Sequence, residues 1–157
     1  MLRASLCLIG LAALAAGPTP SRAADGGALF TQNCLMCHQA GAVGLPGQFP
    51  RLAGRIASIG SKPKGRAYLI DVLTYGMAGK ITVDDQLIVG LMPPFAQLSN
   101  DDVAGVLSYV QSLGSAPAAA PAVFTAEEVR AGRANAAKTA TDVRAERQAL
   151  EDAKIIP

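Results

Sequence analysis

The sequence is poor in the residues that usually fill a protein core. It has no tryptophan, only 4% of its 157 residues are aromatic, and much of its hydrophobic half is alanine. A core built from such small side chains is itself small, which leaves room for a buried cofactor to supply apolar bulk. The length fits one domain with a short addition. No basic stripe with interleaved aromatic residues is present, so a nucleic-acid-binding function is not indicated.

The N-terminal segment predicts export. Arg3 precedes an apolar run over residues 6–16, which is too short to span a bilayer. Helix breakers and small residues follow the run, so residues 1–23 are predicted to be a signal peptide cleaved after Ala23 or Ala24. The mature chain is then expected to be periplasmic, near neutral in charge and without a stable membrane span. An uncleaved membrane anchor is the alternative.

The most informative stretch is Cys34-Leu35-Met36-Cys37-His38. Two thiols three residues apart on a helical turn can reach the vinyl groups of one porphyrin, and the histidine that follows lies under the iron. A structural zinc site would need two more ligands, but His38 is the only histidine and the third cysteine lies in the predicted signal peptide. A thioredoxin-like dithiol would follow a strand in a βαβ unit, and a structural disulfide would make no use of His38. The motif therefore predicts one haem c, bound covalently through Cys34 and Cys37, with His38 as an iron ligand.

A second axial ligand is expected among the methionines. Met36 lies between the cysteines and cannot reach the other haem face, which leaves Met77 and Met92. Met92 is favoured because Pro93 and Pro94 follow it and stiffen the chain. Plain core filling is the other role of such residues. A thioether ligand raises the reduction potential and, together with His38, fills the coordination sphere of the iron, which favours electron transfer over catalysis.

The remaining pattern predicts helices with one small exception. A helix is predicted over residues 25–37, another over 65–75, and a third that begins at the cap Ser99 and ends at Gly114. Residues 81–91 alternate weakly and predict a small hairpin or a loop. In the Gly/Pro-rich loop before the second helix, a backbone carbonyl near Pro50 is expected to accept the Nδ1 proton of His38 and orient the ring.

These motifs occur in the order and spacing of one family. They are Gly26, Phe30, the cysteine motif, Pro50-Arg51-Leu52, Met92-Pro93-Pro94-Phe95 and Tyr109. Residues 25–114 thereby resemble a class I cytochrome c domain. The resemblance implies an all-α fold whose helices wrap one covalently bound haem, and it implies that Pro50 and Leu52 contribute to the haem site. It also implies that the first and last helices cross at Gly26 near Val106, with Phe30 and Tyr109 beside the crossing. The stretch over 79–110 is similar to cytochrome subunits of periplasmic dehydrogenases.

The C-terminal part predicts an appended helix. With the cytochrome c domain at 24–114, residues 115–124 read as an Ala/Pro-rich linker and residues 125–157 as a helical extension. A capping box at Thr125 begins a helix that is expected to reach about Leu150. Its apolar seam is thin and consists of Val129, Ala136, Val143 and Leu150. The helix is therefore expected either to be solvated and loosely packed or to dock on a partner.

These features predict a periplasmic electron carrier and not an enzyme. It would take electrons from a redox donor, such as the catalytic subunit of a periplasmic dehydrogenase, and pass them toward a terminal oxidase or reductase. The alternative is a small haem enzyme, or a gas or redox sensor, with a displaceable sixth ligand.

A run of basic residues suggests where a partner would bind. No acidic residue interrupts Arg51, Arg55, Lys62, Lys64 and Arg66. Such a cluster is either a surface that steers a redox partner or a solvated loop, and one or two of its members could instead pair with the haem propionates.

Overall fold

The computed structural model describes residues 24–114, 122–135 and 137–157. The predicted signal peptide, most of the predicted linker and Ala136 lie outside the described residues. Within these ranges the chain forms helices and one hairpin, in the order α1 (Gly26–Asn33), α2 (Leu35–His38), α3 (Arg55–Gly60), α4 (Pro63–Tyr75), β1 (Met77–Val83), β2 (Gln86–Met92), α5 (Asn100–Ser112), α6 (Ala126–Arg133) and α7 (Ala140–Asp152). A short 3-10 turn at Ala40–Ala42 follows α2.

Helices α1 and α5 cross where Gly26 meets Gly105, the residue before Val106, in agreement with the crossing that the family resemblance implied. A Cβ atom added to Gly26 would lie 2.1 Å from the carbonyl oxygen of Gly105, so the two backbones meet with no room for a side chain. Beside the crossing, the rings of Phe30 and Tyr109 pack with their centroids 5.6 Å apart. Helix α5 begins at Ser99, whose hydroxyl accepts from the backbone N–H of Asp102 while the Asp102 carboxylate accepts from the N–H of Ser99. This capping box fixes the start of the helix.

The first predicted helix, over residues 25–37, is divided in the structure. Asp25 caps α1 by accepting a hydrogen bond from Ala28 N–H. The helix then ends at Asn33, because Cys34 has a φ of −122° that does not continue it, and α2 begins at Leu35. The prediction of one continuous helix was therefore wrong, because the chain bends at the first cysteine of the motif.

The prediction of an all-α fold was also not confirmed, because the structure contains a β-hairpin. Residues 77–92 form a two-stranded antiparallel hairpin, in register from Met77 opposite Met92 to Val83 opposite Gln86. The turn residues Asp84 and Asp85 both have positive φ, which suits a tight two-residue hairpin. The sequence pattern favoured a hairpin or a loop here, and the hairpin is confirmed. It belongs to the wall of the site described below.

The C-terminal extension is two helices, not one. Helix α6 ends at Arg133, and Thr139 begins α7 with its own capping box to Asp142, which the sequence analysis missed. Both helices pack on the chain itself, and Val129 and Val143 are fully buried. The expectation of a solvated helix or one docked on a partner was therefore wrong. A tight contact explains part of this packing, since a Cβ atom on Gly132 would lie 2.9 Å from the Ile70 side chain of α4.

Two ion pairs connect helix α4 to the C-terminal extension, residues 125–157. The Arg66 guanidinium donates to the Glu128 carboxylate from Nε at 2.7 Å and lies over the ring of Phe124. The Lys138 ammonium donates to the buried Asp71 carboxylate at 2.7 Å and to Glu146 at 2.6 Å. No helix among the described residues is both long and apolar enough to cross a bilayer.

Candidate haem site

One large cavity lies between the cysteine motif and the hairpin. It has a volume of about 470 Å³, is open on one side and has a mostly apolar lining. Cys34, at the start of α2, and Cys37 and His38 within it line the cavity, and the hairpin contributes Met77 and Met92 to the lining. The fold thus unites every residue that the sequence proposed for cofactor attachment and iron ligation.

A hydrogen bond at Nδ1 orients the His38 ring so that Nε2 is available to bind a metal. The His38 side chain is buried, and its Nδ1 lies 3.0 Å from the carbonyl oxygen of Pro50. A carbonyl only accepts hydrogen bonds, so Nδ1 carries the proton and the lone pair of Nε2 is available to a metal. Burial lowers the pKa of His38, and the Pro50 hydrogen bond partly opposes this effect. The ring is therefore a neutral, oriented ligand donor, and the expected role of the carbonyl at Pro50 agrees with this geometry.

Cys34 and Cys37 line the cavity, and both are half-buried. Burial raises the pKa of Cys34 to about 11, and the neighbouring Cys37 contributes to the rise. Before haem attachment the Cys34 thiol is thus protonated rather than ionic at neutral pH, and both cysteines line the cavity that His38 also lines. This is the arrangement that covalent attachment of a porphyrin above a histidine ligand requires.

The two candidate methionine ligands are neighbours in space. Met77 and Met92 are directly opposite each other in the hairpin, and both line the cavity. Met92 is the last residue of β2 rather than part of a free loop, so the strand as well as the following prolines holds it. The sulfur of Met77 accepts a hydrogen bond from the Tyr68 hydroxyl at 3.4 Å.

A smaller cavity of about 60 Å³ adjoins the large one. His38, Met77 and Met92 line both, so the small cavity is the inner end of the same site. Leu52 lines this inner end, and its backbone N–H donates to the Ala42 carbonyl at 2.9 Å. The position of Leu52 in this lining agrees with its predicted contribution to the site.

The five basic residues do not form one free surface. Arg51 makes a two-pronged hydrogen-bonded pair with Asp84 in the hairpin turn, at 2.7 and 2.8 Å. Arg55 lies 3.5 Å from the same carboxylate, and Arg66 is bound to the C-terminal extension as described above. Two carboxylates distant in sequence, those of Asp84 and Glu128, thus pair with three of the five basic residues. That the cluster steers a redox partner stays a prediction. Lys62 and Lys64 are exposed.

Proteins of known family are similar to this chain. The family model for "Cytochrome C oxidase, cbb3-type, subunit III" matches residues 21–110. The chain is 42% identical to cytochrome c-552 of Thermus thermophilus over 135 residues, which are 81% of this chain and 97% of that protein. It is equally similar to a second cytochrome c-552 of Thermus thermophilus, of which the match covers 86%. The chain belongs to the class I c-type cytochromes.

This cytochrome carries one haem c, attached covalently through Cys34 and Cys37, and it is an electron carrier rather than an enzyme. The residues present fit the group. The cavity is large and mostly apolar, both thiols line it, and the histidine that follows them has a free Nε2. The haem supplies the redox-active iron, while the chain binds it, orients the histidine and keeps water from its faces.

The sequence pattern did not place Arg147 at this site. Arg147 lines the inner end of the cavity although it belongs to α7, more than fifty residues after Met92. The available signal was its spacing, because Arg147 lies between Val143 and Leu150 on the buried stripe of the helix. A charged residue on a buried stripe is unusual unless it has a partner inside.

Proposed function

We propose that this cytochrome is an exported, periplasmic carrier of single electrons whose haem iron is held by His38 and Met92. The observation that carries the proposal is the meeting of these two side chains, from distant parts of the chain, at one apolar cavity beside the attachment cysteines. An iron with both axial positions filled by protein has no open position for a substrate. It changes oxidation state with little rearrangement, which suits a carrier.

The hydrogen bond to Tyr68 supports Met92 over Met77. The Tyr68 side chain is buried, its pKa is raised by that burial, and its hydroxyl donates to the sulfur of Met77. This contact orients the Met77 thioether toward helix α4. Met92 is held between its strand and two prolines, and it lines the cavity that His38 also lines.

Replacing each methionine in turn tests the ligand assignment. Met92→Ala should remove the weak Met-to-iron charge-transfer band of the oxidised protein and lower the reduction potential, because the thioether favours ferrous iron. Met77→Ala is the matched control, since it shortens the opposite residue of the same hairpin and should keep the band. Loss of the band in Met77→Ala with its retention in Met92→Ala would reverse the assignment.

Export and partners form the second part of the proposal. The matched family is named for a subunit of a terminal oxidase, which supports an oxidase as the electron acceptor, while the similarity of residues 79–110 to dehydrogenase subunits favours a periplasmic dehydrogenase as the donor. Fractionation of the producing cell followed by N-terminal sequencing tests export. The mature chain should occur in the periplasmic fraction and begin at Ala24 or Asp25. An uncleaved chain in the membrane fraction would contradict the proposal.

The opening of the cavity suggests how a partner approaches. Met36, between the two cysteines, lines the cavity with 86% of its surface exposed, and Val89 and Leu91 of β2 are also exposed there. An apolar rim with few unpaired cations makes charge steering a minor contributor to encounter. The rate of reduction by a donor should therefore change less than about threefold between low and high salt, and little in a Lys62→Glu, Lys64→Glu double variant. A steep fall in both experiments would show that the two lysines steer the donor.

A further inference from the structure

The inner end of the haem cavity is unusually rich in positive charge. Its lining includes three arginines, namely Arg51, Arg55 and Arg147, among mostly apolar side chains. Arg51 is turned toward the exposed Asp84 at the hairpin turn, and only 10% of the Arg55 side chain is exposed. A haem carries two propionate carboxylates at one edge, so the charge at this end of the cavity has a natural anionic counterpart.

Of the three arginines, Arg147 is the one whose burial is least accounted for by its hydrogen-bond partners. It is 5% exposed, and its Nη2 donates to the Thr82 carbonyl at a long 3.3 Å. Its Nε lies 2.7 Å from a Glu151 oxygen, but the Nε–H group has no hydrogen-bond partner in line with it. The guanidinium also lies beside the Tyr68 hydroxyl, whose pKa it lowers against the larger effect of burial. Arg147 also shares a side-chain hydrogen bond with Tyr68. A guanidinium has five N–H donors, and burying it is costly unless they are satisfied, so the unmatched Nε–H is the donor that these contacts leave without an acceptor.

The surroundings of Arg147 favour an anion in the cavity. Arg55 and Arg147 line the same inner end, where two guanidinium groups repel each other. Burial and then the charge of Arg147 lower the pKa of Arg55, while the carboxylates of Asp84 and Glu151 oppose this effect. A carboxylate between them would relieve this repulsion and accept from both. Arginine suits that role because its planar fork matches the two oxygens of a carboxylate.

We propose that Arg147, on the C-terminal extension, binds a haem propionate at the inner end of the cavity. The extension then completes the haem site, and the haem in turn holds α7 against β1. Neutralising the propionate disfavours the additional positive charge of ferric iron, so Arg147 raises the reduction potential. Arg147 is a positioning residue for the haem and does not take part in electron exchange itself.

Substitution of Arg147 in the haem-containing protein tests the proposal. Arg147→Met keeps the length and apolar stem but removes the charge and the donors. It should shift the redox equilibrium about tenfold toward the ferric form, which is about 59 mV for one electron. It should also move the propionate bending band in the resonance Raman spectrum. The matched control is Arg144→Met, which removes the same charge one turn earlier in α7. Arg144 contacts Gln148 on the surface. This control should leave the potential and the Raman band unchanged.

A second variant covers the case in which Arg147→Met fails to fold. Arg147→Lys retains the charge and loses the fork, so it should keep most of the potential and still move the Raman band. If the Arg147 variants only lower the melting temperature, with potential and Raman band equal to those of Arg144→Met, Arg147 is a structural residue and the proposal is overturned. This outcome leaves the ligand assignment standing, because the charge-transfer band reports on the methionine–iron bond and not on the propionates.

Discussion

The crossing of α1 and α5 gives a sharp prediction about two adjacent glycines. Gly26 and Gly27 are consecutive residues of the same helix, but only Gly26 lies against backbone. A Cβ atom at Gly26 would be 2.1 Å from the Gly105 oxygen, whereas ordinary contacts begin near 3.4 Å. At Gly27 the nearest atom is Cε2 of Tyr109, at 3.3 Å, and it belongs to a ring edge that can move by a few tenths of an ångström.

The expected change in the free energy of unfolding differs between the two positions. Gly26→Ala forces the helices apart by more than 1 Å. Overpacking of this kind costs about 1–3 kcal/mol. The higher helix propensity of alanine offsets less than about 1 kcal/mol of that cost. We expect a net loss of about 2 kcal/mol, or roughly 8 °C in melting temperature. Gly27→Ala keeps the propensity gain and should be neutral or stabilising by up to about 1 kcal/mol.

Thermal unfolding of the haem-containing protein measures both variants. Far-UV circular dichroism follows the helices and Soret circular dichroism follows the haem pocket. Coincidence of the two curves checks that the transition is cooperative. Equal melting temperatures for the two variants, or a larger loss in Gly27→Ala, would refute the argument that close backbone approach is what requires glycine at Gly26.

Two further predictions concern the docking of the C-terminal extension. Hydrogen bonds from Lys138 to Asp71 and Glu146 raise the pKa of Lys138 against the opposing effect of burial, so Lys138→Met should leave the buried Asp71 carboxylate unpaired and cost about 1–3 kcal/mol in denaturant unfolding. Adding Asp71→Asn to that variant should restore most of the loss, and an unchanged deficit would mean that the pair itself is not the cause. The hydrogen bond from Arg66 lowers the pKa of Glu128 below its ordinary value of 4.5, so its contribution to stability is fully present above about pH 4.5 and is lost as pH falls through the lowered pKa. The melting temperature should therefore fall less between pH 6 and pH 3 in Glu128→Gln than in the unchanged protein, and parallel falls would contradict this role.

Local features of the sequence determined the chemistry. The cysteines, His38 and the family resemblance predicted a haem c and its attachment because these residues act at fixed short spacing on one turn of the chain. The crossing at Gly26 was also predictable, since a glycine and an aromatic residue one turn apart mark a close helix contact in this family. The cap at Ser99 is equally local, because its hydrogen-bond partner is three residues away.

Contacts between distant residues could not be read in the same way. The sequence did not show that Met77 and Met92 lie opposite each other in the hairpin, or that Asp84 and Glu128 pair with arginines of the basic run. The burial of the C-terminal helices was likewise invisible, because a thin alanine seam is too weak a signal until α4 and β1 supply the opposite surface.

Arg147 shows the limit most clearly. Its sequence position, between two apolar residues of an amphipathic helix, indicates burial but not what it would meet. Only the packing of α7 across the hairpin carries its guanidinium to the inner end of the haem cavity. The motif determined that a haem is bound, and the tertiary structure decided which charges surround it, because electrostatic contacts depend on distance in space rather than on separation along the chain.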